Sequence, residues 1–149
     1  MGPKVGVRIR RYRPADYRTI VTLWQSSGIH VGPSDSRREL ERSRRRDADL
    51  FLVAEEDGRI VGIVLGRYDG RRGWIHHLAV DATRRRLGIG RELVVELERR
   101  LARKGCAKVN LHVVPENDAV CAFYQKLGYG RRNLIFMDKW LTGPTQPKP

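Results

Sequence analysis

Apolar and polar residues alternate through Val5-Gly6-Val7-Arg8-Ile9-Arg10-Arg11, the spacing of a half-buried strand. Pro14-Ala15-Asp16 then opens a helix that carries Tyr17, Ile20, Val21, Leu23 and Trp24 on one face to about Ser27. After a loop over 28–33, Ser34 or Asp35 can cap a second helix over 36–46. That helix has few apolar residues beyond Leu40, so it belongs at the surface, with Arg44-Arg45-Arg46 as a solvated face. Leu50-Phe51-Leu52-Val53-Ala54-Glu55 and Arg59-Ile60-Val61-Gly62-Ile63-Val64-Leu65 flank Asp57-Gly58, a strong hairpin signal because the turn needs residues that tolerate positive φ. Asp69-Gly70 marks another turn, and Trp74-Ile75-His76-His77-Leu78-Ala79-Val80 completes an antiparallel meander.

Downstream, Ile89, Leu93, Val94, Leu97 and Leu101 recur at helical spacing until Lys104-Gly105 supplies a stop. The strand expected over 108–114 follows a strand–helix connection and should lie parallel to 74–80. Asn117-Asp118 caps a helix through Val120, Phe123, Tyr124 and Leu127, closed by Gly128. One or two further strands are expected over 131–141, and a disordered tail over 142–149. With no internal repeat and no linker, residues 1–141 read as a single domain of mixed α/β class.

The junction after the third strand of the meander is chemically distinctive. Arg84-Arg85-Arg86-Leu87-Gly88-Ile89-Gly90-Arg91 joins a strand end to a helix start, where free backbone N–H groups meet the positive end of the helix dipole. Gly88 and Gly90 allow close approach of a phosphate, and the arginines add forked donors for its oxygens. The loop therefore reads as a diphosphate cradle. It is not a triphosphatase phosphate loop, because Arg91-Glu92 stands where Lys-Ser or Lys-Thr is required. Nor is it a dinucleotide fingerprint, because Leu93 occupies the place of the third glycine.

Charge and composition narrow the partners. The 149 residues carry a formal charge of +13, which favours anionic ligands, and 40% of them are hydrophobic, ordinary for a folded domain. No apolar run approaches the roughly 20 residues that span a bilayer, so no membrane partner is expected and the protein reads as cytoplasmic. Cys106 and Cys121 have no metal or redox spacing, and His30, His76, His77 and His112 match no zinc pattern. No metal site is expected.

Three motifs in order carry a family resemblance: Leu78-Ala79-Val80, then Arg85-x-x-Gly88-x-Gly90, then Asn117-Asp118-Ala119-Val120-Cys121-Ala122-Phe123-Tyr124-Gln125-Lys126-Leu127-Gly128-Tyr129. The last is similar to the family pattern Asn-x-x-Ala-x-x-Phe/Leu-Tyr-x-Lys-x-Gly-Phe/Tyr, with Val120 in place of its Ala. Over about residues 51–129 the chain resembles the GNAT superfamily of acyl-CoA-dependent N-acetyltransferases, and Trp24, Phe51-Leu52-Val53-Ala54-Glu55 and Tyr68-Asp69-Gly70-x-Arg72-Gly73 look most like its bacterial YpeA-type branch. The resemblance implies a GNAT-like mixed sheet of six or seven strands with four helices, splayed between two parallel strands. It implies acetyl-CoA as co-substrate, with pantetheine along Leu78, Ala79 and Val80 and diphosphate on Arg85, Arg86, Leu87, Gly88, Ile89, Gly90 and Arg91. It also implies that Asn117 helps hold the coenzyme and that Tyr124 is the catalytic acid.

The chemistry can also be argued directly. Forming an amide from a thioester needs a neutral amine, a polarised carbonyl and a proton for the departing thiolate. Tyr124, with an ordinary pKa about 10, is a donor at neutral pH, and the Val80 amide could polarise the carbonyl. Neutralising a lysine at pH 7 costs about 4–5 kcal/mol, against about 1 for an α-amine, so a base matters most for lysine. Strand alternation sends only one of His76 and His77 to a given face, and His112 lies on the facing strand; these or a water are the candidates. The expected function is acetyl transfer to a primary amine of a protein or small molecule, by a monomer or homodimer. The alternatives are an α-amine acetyltransferase of the ribosomal-protein modifying type and, from another class, a non-catalytic basic module binding nucleic acid or acyl-CoA. Nucleic acid is not the expected partner, because no aromatic stacking pattern interleaves the arginines.

Overall fold

The computed structural model describes residues 6–143. They form two compact units, the first ending at His112 and the second beginning at Val113. The first holds a five-stranded sheet in the order β1 (Val7–Arg11), β2 (Phe51–Glu56), β3 (Arg59–Tyr68), β4 (Gly73–Val80) and β5 (Val109–Leu111). All neighbours are antiparallel except β4 and β5, which are parallel as the strand–helix crossover requires. Asp57 and Gly58, both at positive φ, make the β2–β3 turn.

Helices α1 (Tyr17–Ser26) and α2 (Arg37–Asp47) pack on one face of the sheet. Ile20, Leu23, Trp24 and Leu40 are buried there with Tyr12, Phe51, Val53, Ile63, Leu65 and Ala79. The cap of α2 is Ser36, whose hydroxyl accepts from the Glu39 amide, rather than Ser34 or Asp35. Asp35 is used differently: its carboxylate closes the short 3-10 turn Pro33–Asp35 by accepting from the Gly32 amide.

The other face of the sheet carries α3 (Ile89–Arg103), laid down along a row of glycines. A Cβ at Gly62 would fall 2.9 Å from Leu93 and 3.2 Å from Ile89, one at Gly66 2.3 Å from Leu97, and one at Gly73 2.9 Å from Leu101. Ile89, Leu93, Leu97 and Leu101 are spaced by four, one ridge of the helix, and the bare strand backbone is the groove that takes it. Gly66→Ala also places its methyl 3.0 Å from the Leu50 carbonyl oxygen, which is backbone and cannot swing aside. Such overpacking is expected to destabilise the protein by about 1–3 kcal/mol, read as a lower urea midpoint at unchanged m value.

The second unit contains α4 (Asp118–Lys126), but residues 131–141 form no strand. Among the described residues the sheet therefore has five strands beside four helices, fewer strands than the six or seven expected within the same mixed α/β class. Leu134, Ile135, Phe136, Met137 and Leu141 of that segment are exposed, so the strands expected there have no buried face. Most of the tail expected over 142–149 lies outside the described residues.

Candidate active site

β4 organises the site. Its pairing with β5 covers only Gly73, Trp74 and Ile75, opposite Val109, Asn110 and Leu111. From His76 to Val80 the same edge has no strand partner among the described residues, so the two parallel strands part. The expected strand over 108–114 is cut to three residues, which moves the parting upstream of both histidines.

The opposite edge of β4 carries a bulge. Ile63 pairs with Ala79 and Leu65 with His76, so Val64 alone faces His77 and Leu78. His77 takes a φ of +50°, in the left-handed region that a non-glycine residue seldom occupies. The bulge breaks the alternation expected for the histidines. His76 lies opposite Leu65, a member of the core beneath α1, and His77 reaches Trp24 and Asp35, also on that side. Both therefore share the α1 face of the sheet.

His77 is tied down at three points. Its carbonyl accepts a 3.1 Å hydrogen bond from the Trp24 indole, its ring stands edge-on to that indole with centroids 5.0 Å apart, and its Nε2 lies 2.8 Å from Asp35 Oδ1. Asp35 is itself fixed by the Gly32 amide on its other carboxylate oxygen and by the Tyr17 hydroxyl, which donates to its carbonyl at 2.8 Å. Burial alone would raise the Asp35 pKa, but the hydrogen bonds from His77 and Gly32 outweigh it and hold the carboxyl below its ordinary value. An ionised Asp35 accepts, so Nε2 must carry the proton and Nδ1 of a neutral ring presents its lone pair.

His76 differs. It keeps a solvent-facing edge, yet the protein packed around the rest of the ring, and then the charges of Arg67, His77 and His112, lower its pKa to about 4. Trp74 stacks on it with centroids 6.5 Å apart and also contacts the His112 ring at 5.4 Å.

Beyond Val80 the chain folds into the turn read as a cradle. Asp81 accepts from the amide and hydroxyl of Thr83, and Arg84 pairs with Glu56 at 3.0 Å. Arg85 points back, its guanidinium 3.4 Å from the Val80 carbonyl and 3.5 Å from Ser27 Oγ, both long contacts. Arg86 and Gly88 take φ of +64° and +84°, and Gly88 is the N-cap of α3. The Glu92 amide bonds the Gly88 carbonyl, so helix geometry leaves the amides of Ile89, Gly90 and Arg91 ahead of it without intrahelical partners. Arg85, Arg86, Gly88 and Arg91 are exposed, Leu78, Val80, Leu87 and Gly90 half-buried, and Ala79 and Ile89 buried. The structure thus brings Leu78 to Arg91 together as one strand–turn–helix corner with free donors, a fit for a diphosphate.

Asn117 and Tyr124 belong to the second unit. Asn117 caps α4 from outside the helix body, its Oδ1 accepting from the Val120 amide at 3.2 Å, while its carboxamide N–H groups remain donors. Tyr124 is 6% exposed, between the rings of Phe123 and Tyr129 at 5.0 and 5.4 Å. Burial raises its phenol pKa well above the ordinary value, so the hydroxyl stays protonated.

Residues 17–129 match the family model described as the acetyltransferase (GNAT) family. The chain belongs to that family. It is an acetyl-CoA-dependent acyltransferase, as the free donors after β4 and the parted strands suit. A relative from Pectobacterium atrosepticum, the acetyltransferase ECA0875, is 40% identical over 135 residues, covering 91% of this chain and 96% of its own. Among solved structures, Ard1 from Thermoplasma volcanium superposes with a TM-score of 0.79 at 25% identity, over 87% of this chain and 86% of that one. The PaiA N-acetyltransferase of Thermoplasma acidophilum, solved in complex with coenzyme A, matches the fold with a TM-score of 0.78 at 21% identity, over 87% and 92%. Among the described residues no helix is long and apolar enough to cross a membrane.

Two residues of the site escaped sequence reasoning. Asp35 reads locally as a cap and Trp24 as core, and their meeting with His77 spans 42 and 53 residues of chain. No local pattern signals contacts at that separation.

Proposed function

We propose that this enzyme moves the acetyl group of acetyl-CoA directly to a primary amine, on a protein lysine or a small molecule. The observation that supports this reading is the departure of β5 from β4 at Ile75, which opens the β4 edge from His76 to Val80 ahead of a helix that starts at Ile89 with free amides. An extended pantetheine arm can hydrogen-bond the open edge of β4 at Leu78 and Val80 like an added strand. The diphosphate then falls on the amides from Arg86 to Arg91, with Arg85 and its neighbours neutralising charge. The Val80 amide polarises the thioester carbonyl. Asn117 steadies the coenzyme through its carboxamide donors, and Tyr124 donates to the sulfur as the C–S bond breaks. Because its phenol is held above the thiol range, Tyr124 acts by hydrogen-bonding the developing thiolate, and the sulfur's final proton originates on the attacking amine.

An acceptor panel tests the reading. Free-thiol release from acetyl-CoA is followed with an N-terminally blocked lysine peptide, a peptide bearing a free α-amine, and small polyamines. Release that depends on a lysine or small-molecule amine supports the proposal; release with the α-amine alone supports N-terminal acetylation instead. Acetyl-CoA at about 100 times its Kd should stabilise the fold by about 2.7 kcal/mol in thermal unfolding. Stabilisation by RNA with none by acetyl-CoA would favour a basic binding module.

A further inference from the structure

We propose that His77, oriented by Asp35, is the general base that takes the proton from the acceptor ammonium, an inference that rests on acetyl transfer to an amine. Three observations carry it. First, the bulge places His77 on the stretch of β4 where β5 has already left, on the α1 face of the sheet. Second, the 2.8 Å contact to Asp35 fixes the proton on Nε2 and leaves Nδ1 as the accepting atom, with no protein hydrogen bond to Nδ1 among the described residues. Third, the pair is built rather than incidental. Tyr17, Gly32 and Trp24 each contribute a hydrogen bond that holds Asp35 or the His77 backbone in place, and the strained φ of +50° persists because of them.

His76 is the weaker candidate, because among the described residues no carboxylate hydrogen-bonds its ring as Asp35 does that of His77, and its surroundings disfavour the imidazolium. Asp35 and His76 are the titratable groups that interact directly with His77; His30 of the α1–α2 connection acts on Asp35, and Arg67 on β3 and His112 after β5 act on His76.

The proton balance closes. The ammonium gives one proton to His77 Nδ1, and its nitrogen bonds to the thioester carbonyl carbon. The C–S bond breaks, and the nitrogen's second proton is matched by the one the sulfur acquires. His77 then releases its proton to water. Ammonium and acetyl-CoA become amide, free thiol and one proton. His77 touches the amine; Asp35 is a positioning residue.

The test is the pH profile of kcat/KM for wild type, His77→Gln and Asp35→Asn, using acetyl-CoA with whichever acceptor wild type takes among a blocked lysine peptide, a free α-amine peptide and small polyamines. Glutamine can still donate to Asp35 but does not titrate. His77→Gln should lower kcat at pH 7 by about 100-fold, keep the KM for acetyl-CoA within about twofold, and move the acidic limb up to the pKa of the amine itself. Asp35→Asn should move that limb to lower pH, because the carboxylate no longer stabilises the imidazolium. If both variants keep the wild-type profile and lose activity only as they lose thermal stability, the pair is a structural tether and the proposal falls. A wild type that accepts neither peptide and no polyamine, while acetyl-CoA still raises its Tm, overturns transfer to these amines, and the assignment of His77 with it.

Discussion

Tyr124→Phe is expected to lower kcat by about 100-fold, equivalent to about 2.7 kcal/mol of transition-state stabilisation, while the KM for acetyl-CoA stays close to wild type. The substitution removes one hydroxyl and leaves the ring packed against Phe123 and Tyr129, so the fold should be unaffected. Because burial raises the phenol, its ionisation should not impose an alkaline limb on kcat below about pH 10. Steady-state kinetics between pH 6 and 10 read both effects. An unchanged kcat removes Tyr124 from the chemistry.

The second large effect is structural. Trp24 is fully buried at the heart of the α1-side core, and its indole N–H satisfies the carbonyl of a residue held at positive φ. Trp24→Ala opens a cavity, which costs about 3–5 kcal/mol, and strands that carbonyl, which adds about 1–3. At about 2–4 °C per kcal/mol for a chain of this size, Tm should fall by ten degrees or more. Trp24→Phe separates the two contributions, since it fills much of the space but cannot donate. It should cost less stability than alanine and still depress kcat, because the bulge that aims His77 loses its anchor.

The elements that depend on neighbouring residues were legible in the sequence. The Asp57-Gly58 turn, the four-spaced apolar ridge of α3, the Asn117 cap and the glycine at the start of α3 each have a local cause, and each stands where the pattern places it. So does the parallel pairing of β5, which follows from the handedness and length of the crossover. What was not legible depends on non-local contacts. One extra residue in β4 reverses the face of His77, and nothing in His76-His77 announces it, because the bulge answers to Trp24 and Asp35 far away in the chain. The segment over 131–141 fails for the complementary reason. It holds the apolar run Leu134-Ile135-Phe136-Met137, but a strand exists only where another strand supplies its hydrogen bonds.

The glycine row under α3 has a consequence for anyone seeking a hardier version of this enzyme. Substituting strand glycines with β-branched residues is a natural first step, since glycine weakens a strand by its entropy and its missing side chain. At Gly62, Gly66 and Gly73 that step would act as a wedge, lifting the helix whose first turn ends in the free amides. Thermostabilising campaigns should leave these three bare and work on the exposed arginine-rich face of α2.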